Sequence, residues 1–186
     1  MTRPGLFVAI VGPSGVGKDS LIRAVAALFA GDPDFFQVRR VITRASDANE
    51  EHDTLDLAAF EAAARAACFA LTWGAHGLYY GVPVEADAAI AAGKVVIANL
   101  SRGAVGEARR RWRDVLAVSV TAKPETLAAR LAERGRESAE GRRERLNRSL
   151  QESFSFEPDA VIDNDGPLEK AAQKLADLIK TRRAQT

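Results

Sequence analysis

The chain has 186 residues, of which 47% are apolar and 27% charged, and its formal net charge is +1. These proportions are ordinary for one globular domain, and so small a net charge does not favour nucleic acid or an anionic membrane as partner. No apolar run approaches the roughly 20 residues of a membrane span, and the amino terminus lacks a signal-peptide pattern. We therefore expect a cytoplasmic protein that acts on a small molecule. No feature of the sequence specifies an oligomeric state.

The single cysteine, Cys68, cannot form an internal disulfide, which fits a reducing compartment. It lies in the apolar stretch 66–70, so we expect a small buried side chain and not a nucleophile.

Four short apolar runs predict strands that are buried on both faces, at 6–11, 95–98, 115–120 and 160–162. Helical patterns separate them. One follows the first run and places Leu21, Val25, Leu28 and Phe29 on one stripe, and others cover 104–112, 124–134 and the segment after Pro167. Strands that alternate with helices predict an α/β fold in three layers, with a parallel sheet covered on both faces.

Two segments interrupt this alternation. The first, at about 36–85, contains a polar loop, a short helix and an aromatic stretch, and the second, at about 133–148, is rich in arginine. Neither is bounded by a linker or a low-complexity tract. We therefore interpret residues 1–186 as a single domain with two insertions.

A glycine-rich turn follows the first predicted strand and opens the first predicted helix. Glycines allow the sharp turn and the close approach of backbone N–H groups to phosphate oxygens, and the helix amino terminus adds a partial positive charge. The lysine at its end would reach the β- and γ-phosphates of a nucleoside triphosphate. Strand, spacing, lysine and helix together predict a phosphate-binding loop (P-loop) at Gly12, Pro13, Ser14, Gly15, Val16, Gly17 and Lys18.

The residue after the lysine departs from the usual P-loop pattern. That position is normally Ser or Thr and holds Mg²⁺, but here it is Asp19, and Ser20 comes one residue later. A carboxylate can bind Mg²⁺ directly or through water. We expect Asp19 to hold the metal, although an acid in the first turn of a helix also complements the helix dipole without any ligand.

Further stretches, taken with the P-loop, resemble the guanylate-kinase-like branch of the nucleoside monophosphate kinases. More narrowly, the chain resembles the ribose 1,5-bisphosphate phosphokinases of the phosphonate pathway, and this resemblance spans nearly the whole chain. The segments that carry it are Gly-Lys-Asp-Ser at 17–20, Arg-Val-Ile-Thr-Arg at 40–44, Glu-Glu-His at 50–52, Trp73 to Gly81, Asn-Leu-Ser-Arg at 99–102, Arg-Gly-Arg-Glu at 134–137 and Asn-Asp-Gly at 164–166.

The resemblance implies transfer of the γ-phosphate of ATP to ribose 1,5-bisphosphate, which gives 5-phosphoribosyl 1-diphosphate (PRPP) and ADP, with Mg²⁺ as cofactor. It makes the first insertion the acceptor-binding region and the second a lid. By the same resemblance, Arg44, Tyr79, Tyr80 and Gly81 would bind the acceptor. Lys18 and the lid residues Arg134 and Arg145 would be catalytic, and Asn164 and Asp165 would lie near the adenine.

Two alternatives remain at this point. A guanylate-type kinase would read guanine with acids, but neutral Thr72, Asn99 and Ser101 stand near the positions where those relatives have them. A catalytically inactive interaction module of the same fold would typically lack the loop lysine or glycines, which are present here.

Overall fold

The computed structural model of the protein describes residues 3–45, 52–75, 77–133 and 156–185, with the backbone alone at 131–133. The strands are β1 (Leu6–Val11), β2 (Phe35–Gln37), β3 (Arg40–Ile42), β4 (His52–Thr54), β5 (Phe69–Ala75), β6 (Leu78–Pro83), β7 (Val95–Asn99), β8 (Val115–Thr121) and β9 (Ala160–Asp163). The helices are α1 (Lys18–Leu28), α2 (Leu57–Arg65), α3 (Glu85–Ala91), α4 (Val105–Arg111), α5 (Pro124–Glu133) and α6 (Leu168–Ala184), with a 3₁₀ turn at Arg102–Ala104 before α4.

Five strands form a parallel sheet in the order β2-β7-β1-β8-β9. Alternate residues of β1 enter two separate hydrophobic clusters, because successive side chains of a strand point to opposite faces. Leu6, Val8 and Ile10 pack with α1, α5 and α6. Phe7, Ala9 and Val11 pack with α3 and α4. The sheet is thus covered by helices on both faces, and the predicted three-layer α/β fold is confirmed.

The parallel arrangement places the carboxyl ends of β1, β7, β8 and β9 along one edge of the sheet. Ligands of open α/β sheets bind in the crevice outside this edge. The P-loop follows β1 there.

A second sheet forms part of the first insertion, with the strand order β4-β3-β6-β5. β5 and β6 are an antiparallel hairpin, β6 pairs antiparallel with β3, and β3 pairs parallel with β4. Phe60 of α2 stacks on Phe69 and lies 6.0 Å from Tyr79, so α2 covers one face. The opposite face carries Tyr80, which is stacked on Trp73.

The structure differs from the sequence predictions in local ways. Cys68 is exposed, because it lies in the turn between α2 and β5 and not within either element. Leu28 is 52% exposed at the end of α1, and Ile22 is buried instead. The short elements β2 and α3 were not predicted. Along the parts of the chain that the structure describes, no helix is long and apolar enough to cross a membrane.

Candidate active site

The P-loop follows β1 directly and ends where α1 begins. Gly15 and Gly17 have φ values of 82° and 92°, a left-handed conformation that side chains disfavour. A Cβ on Gly17 would also lie 2.7 Å from Nδ2 of Asn164, so the glycine is required by space as well as by φ. The Lys18 ammonium donates to the carbonyl oxygens of Gly12 at 2.8 Å and Pro13 at 3.0 Å. The lysine therefore lies over its own loop, at the place where a phosphate would be bound.

Asp19 contacts the neighbouring strand and the second sheet. Its Oδ1 accepts a hydrogen bond of 2.5 Å from Nδ2 of Asn99, the last residue of β7, and lies 4.0 Å from Nη2 of Arg40, the first residue of β3. Asn99 is 3% exposed, and its Oδ1 has no hydrogen-bond partner. By contrast, Oγ of Ser20 is 3.4 Å from the Arg23 guanidinium along the helix. Asp19, not Ser20, is thus joined to the carboxyl edge of the sheet.

The two predicted adenine-side residues lie in the loop after β9, and one of them, Asn164, contacts the P-loop. Asn164 is 3% exposed, and its Nδ2 donates to the carbonyl oxygen of Val16 at 2.8 Å. Asp165 accepts from the backbone N–H of Lys123 at 2.8 Å, and this hydrogen bond holds the pKa of its carboxyl below the ordinary value. Both residues fix the loop after β9 against neighbouring loops at the edge of the sheet.

Arg130 of α5 belongs to the same site, although the sequence analysis gave it no role. Its guanidinium donates to the carbonyl oxygens of Val16 at 3.3 Å and Asn164 at 2.8 Å. It stands four residues before the predicted lid residue Arg134 in the sequence, so a signal was present there. What was missing was the packing of α5 against the P-loop.

The two predicted tyrosines are separated by the alternation of β6. Tyr80 pairs in register with Ile42 and Trp73, and its ring lies 5.9 Å from the guanidinium carbon of Arg40. Tyr79 is 47% exposed and lies on the other face, toward α2. Tyr80 therefore lies on the face from which Arg40 reaches Asp19, and Tyr79 does not.

The other predicted acceptor residues differ in their surroundings. A Cβ on Gly81 would lie 2.6 Å from the Phe69 ring, so packing against this ring requires a glycine. Arg44 is half-buried and lies two residues beyond the end of β3, where its carbonyl oxygen accepts from Oγ1 of Thr54 at 3.1 Å. The predicted catalytic residues Arg134 and Arg145, with the lid at about 133–148, lie outside the described side chains.

His52, from the Glu-Glu-His segment at 50–52, is a buried residue. It lies in β4 in register with Arg40 and is 3% exposed. Its Nδ1 lies 3.1 Å from the carbonyl oxygen of Asp53, and its Nε2 has no hydrogen-bond partner.

The donor set at the start of α1 fits Mg²⁺. Among the described residues there is no cluster of three or more His, Cys, Asp or Glu side chains that could enclose a metal. Mg²⁺ does not require one, since it commonly binds through one or two carboxylates together with substrate phosphates and water. The Asp19 carboxylate and the unpartnered amide oxygen of Asn99 are hard oxygen ligands beside the P-loop. These two residues would hold the ion together with the nucleotide.

A parallel sheet whose first strand runs into a glycine-rich loop ending in lysine defines a P-loop nucleotide-binding protein. Residues 8–151 match the family model described as an AAA domain. The fold is similar to that of guanylate kinase from Anaplasma phagocytophilum, with a TM-score of 0.70 at 16% identity over 97% of this chain and 87% of that one. It is also similar to a sugar kinase from Janibacter, with a TM-score of 0.54.

Curated relatives show which family of P-loop proteins the chain belongs to. The chain is 46% identical to ribose 1,5-bisphosphate phosphokinase PhnN of Brucella melitensis, over 89% of this chain and 86% of that protein. It is 42% identical to the protein of the same name from Methylobacterium radiotolerans, over 92% of this chain and 96% of that protein. The chain belongs to the ribose 1,5-bisphosphate phosphokinase family.

Proposed function

We propose that this chain transfers the γ-phosphoryl group of ATP to the 1-phosphate of ribose 1,5-bisphosphate, giving PRPP and ADP. The observation that carries the proposal is the 46% identity with a relative of that name over 89% of the chain. The geometry supports the proposal, because the contact between Asp19 and Arg40 brings the start of α1, next to the P-loop, close to a second sheet that carries arginine.

The reaction breaks the bond between the γ-phosphorus and the oxygen that bridges to the β-phosphate. It forms a bond between that phosphorus and an oxygen of the 1-phosphate, while ADP leaves with the bridging oxygen. The attacking oxygen is already ionised at neutral pH, so no general base is needed. Catalysis then consists of positioning the two phosphates and neutralising their charge.

Each part of the site has a role in this scheme. The P-loop amides and Lys18 bind the β- and γ-phosphates, and Asn164 and Asp165 lie beside the adenine. Mg²⁺, held through Asp19 and Asn99, would supply charge neutralisation at those phosphates. Arg44 binds the acceptor phosphate farther from ATP. Tyr80 lies on the face of the second sheet where it contacts the Arg40 guanidinium. We assign the catalytic lid arginines to Arg134 and Arg145, which would neutralise the migrating phosphoryl group.

A guanylate kinase activity is not favoured. The likeness to guanylate kinase at 16% identity shows the fold alone. Thr72 is exposed on β5, and the Asn99 amide is bonded to Asp19 and not directed at an acceptor. A purine with no carboxylate acceptors for its N–H groups would bind poorly. An inactive module is disfavoured because the loop glycines and Lys18 are all present.

We further propose that the protein acts in the cytoplasm on small molecules alone, which agrees with its single unpaired cysteine and its need for ATP.

The proposal is tested by measuring ADP release with ribose 1,5-bisphosphate, GMP, AMP and ribose 5-phosphate as separate acceptors. We expect turnover with ribose 1,5-bisphosphate and formation of PRPP. Ribose 5-phosphate should react poorly, because its anomeric hydroxyl would need a base that the described site does not provide. Turnover confined to GMP or AMP would contradict the proposal.

A further inference from the structure

Arg40 is held at the junction between the P-loop and the second sheet. Its side chain is only 13% exposed, although a guanidinium is normally well solvated. Its Nη2 lies 4.0 Å from Oδ1 of Asp19, and its guanidinium carbon lies 5.9 Å from the centre of the Tyr80 ring. A carboxylate and an aromatic face thus orient the cation before any substrate is present.

Arg40 lies close to the P-loop. Asp19 directly follows Lys18, the residue expected at the β- and γ-phosphates. The contact with Asp19 therefore places Arg40 on the side of the second sheet that lies next to the P-loop. Arg40 also lines a small cavity with Asp19, Gln37 and Asn99, between β3 and the carboxyl edge of the parallel sheet. An anion bound between the P-loop and the second sheet would lie close to Arg40.

Arg44 lies on the same chain segment, beyond the carboxyl end of β3, whereas Arg40 begins that strand next to Asp19. The chain from Arg40 to Arg44 can span at most roughly 13 Å, at about 3.3 Å per residue, and it bends at Thr43 and Arg44. Arg40 begins β3, and Arg44 follows its end. The segment therefore presents two guanidinium groups, one near the nucleotide loop and one beyond the strand. This spacing suits an acceptor that carries two phosphates.

We propose that Arg40 binds the reacting 1-phosphate of the acceptor, while Arg44 binds the 5-phosphate; this rests on the function proposed above. Arg40 would donate two parallel N–H···O bonds to the 1-phosphate. The contact reduces the repulsion between this phosphate and the γ-phosphate of ATP, and it directs one free oxygen at the γ-phosphorus. No proton moves and no bond to Arg40 is formed. Tyr80 acts on Arg40 as a positioning residue.

The test compares Arg40→Leu, Arg40→Lys and Arg44→Leu on ribose 1,5-bisphosphate and on ribose 1-phosphate, which lacks the 5-phosphate. Arg39→Leu is the matched control, because Arg39 is exposed and paired with Asp53 at 3.2 Å. Arg40→Leu should lower kcat/KM by about 10²- to 10³-fold on both acceptors, mainly through kcat. Arg40→Lys should recover part of this loss, since lysine keeps the charge without the bidentate geometry. Arg44→Leu should raise KM for the bisphosphate only.

A second measurement uses ribose 5-phosphate as a competitive inhibitor, since it carries the distal phosphate and no 1-phosphate. Its inhibition constant should stay unchanged in Arg40→Leu and rise in Arg44→Leu. Thermal unfolding and ATP binding are measured on every variant, and both should match the wild type in Arg40→Lys.

Three results would overturn the assignment of Arg40. The first is a loss of activity in Arg40→Leu that occurs with ribose 1,5-bisphosphate but not with ribose 1-phosphate. The second is an inhibition constant for ribose 5-phosphate that rises in Arg40→Leu as much as the KM for the bisphosphate does. The third is turnover in Arg40→Leu equal to that of the Arg39→Leu control. Failure of the proposed function is separate, because the wild-type protein would then not use ribose 1,5-bisphosphate at all.

Discussion

Asn99 donates its side-chain amide to the carboxylate of Asp19 across 2.5 Å, which joins the end of β7 to the first turn of α1. The bond leaves the buried Oδ1 of Asn99 without a partner. A buried polar atom without a hydrogen bond is costly and usually indicates a ligand or a functional constraint. Mg²⁺ prefers oxygen ligands, and we propose that Asp19 and Asn99 supply two of them beside the P-loop.

The metal role of this pair predicts a specific ranking of variants. Asp19→Ala should raise the Mg²⁺ concentration that gives half-maximal activity, because the carboxylate ligand is removed. Ser20→Ala should change it less, since Oγ of Ser20 lies near Arg23. Titration of activity with Mg²⁺ at saturating ATP measures both. The opposite ranking would give Ser20 the role of the usual P-loop Ser or Thr.

Lys18→Ala tests the P-loop itself. The two hydrogen bonds of Lys18 are to carbonyl oxygens of its own loop, so we expect a stability change within about 1 kcal/mol. Phosphoryl transfer should fall by about a hundredfold or more, because a charge directed at the transition state is lost. Steady-state kinetics and thermal unfolding of the same preparation separate the two effects. Near-normal turnover in a folded variant would remove the P-loop assignment.

The lid prediction concerns the arginine-rich segment 133–148. If Arg134 and Arg145 close over the phosphates, hydrogen exchange across this segment should slow when an ATP analogue and the acceptor are both bound. Mass spectrometry of the free protein, each binary complex and the ternary complex measures this. Equal exchange in all four states would argue against a closing lid.

Asp87 supplies a pH prediction away from the active site. Hydrogen bonds from the Arg111 guanidinium hold the pKa of the Asp87 carboxyl below its ordinary value of 3.8. A carboxyl with a lowered folded-state pKa stabilises the protein above pH 3.8, and this contribution is lost as the pH falls through the folded-state value. Asp87 is 31% exposed, so Asp87→Asn should cost less than about 1 kcal/mol at pH 7.

Urea unfolding of wild type and Asp87→Asn at pH 7 and pH 3 checks this. The difference in free energy of unfolding should shrink at pH 3. If the difference in free energy of unfolding grew on acidification, the predicted direction of the Asp87 pKa shift would be wrong.

The sequence predicted the core better than the connections between its parts. The apolar runs predicted four of the five strands of the parallel sheet, and burial on both faces explains the continuous apolar runs of β1, β7 and β8. For β9 the expected burial on both faces was wrong, because this strand lies at the edge of the sheet and Val161 is 51% exposed. β2 was missed because three residues are too few for a periodicity. The contacts of Asp19 with Asn99 and Arg40 join residues 80 and 21 positions apart, and no local pattern specifies such pairs. Likewise, only the pairing of β6 with β5 and β3 distinguishes Tyr80 from Tyr79.

The most direct test of the central claim is a competition between ribose 1,5-bisphosphate and GMP for limiting enzyme and ATP, with both products measured. Each guanine N–H left without an acceptor costs roughly 1–3 kcal/mol, and 1.4 kcal/mol corresponds to about tenfold. Two such losses should lower GMP efficiency by about 10² to 10⁴. The account therefore predicts that kcat/KM for ribose 1,5-bisphosphate exceeds that for GMP by at least about a hundredfold. Preferential formation of GDP would contradict it, although the P-loop kinase fold and class would stand.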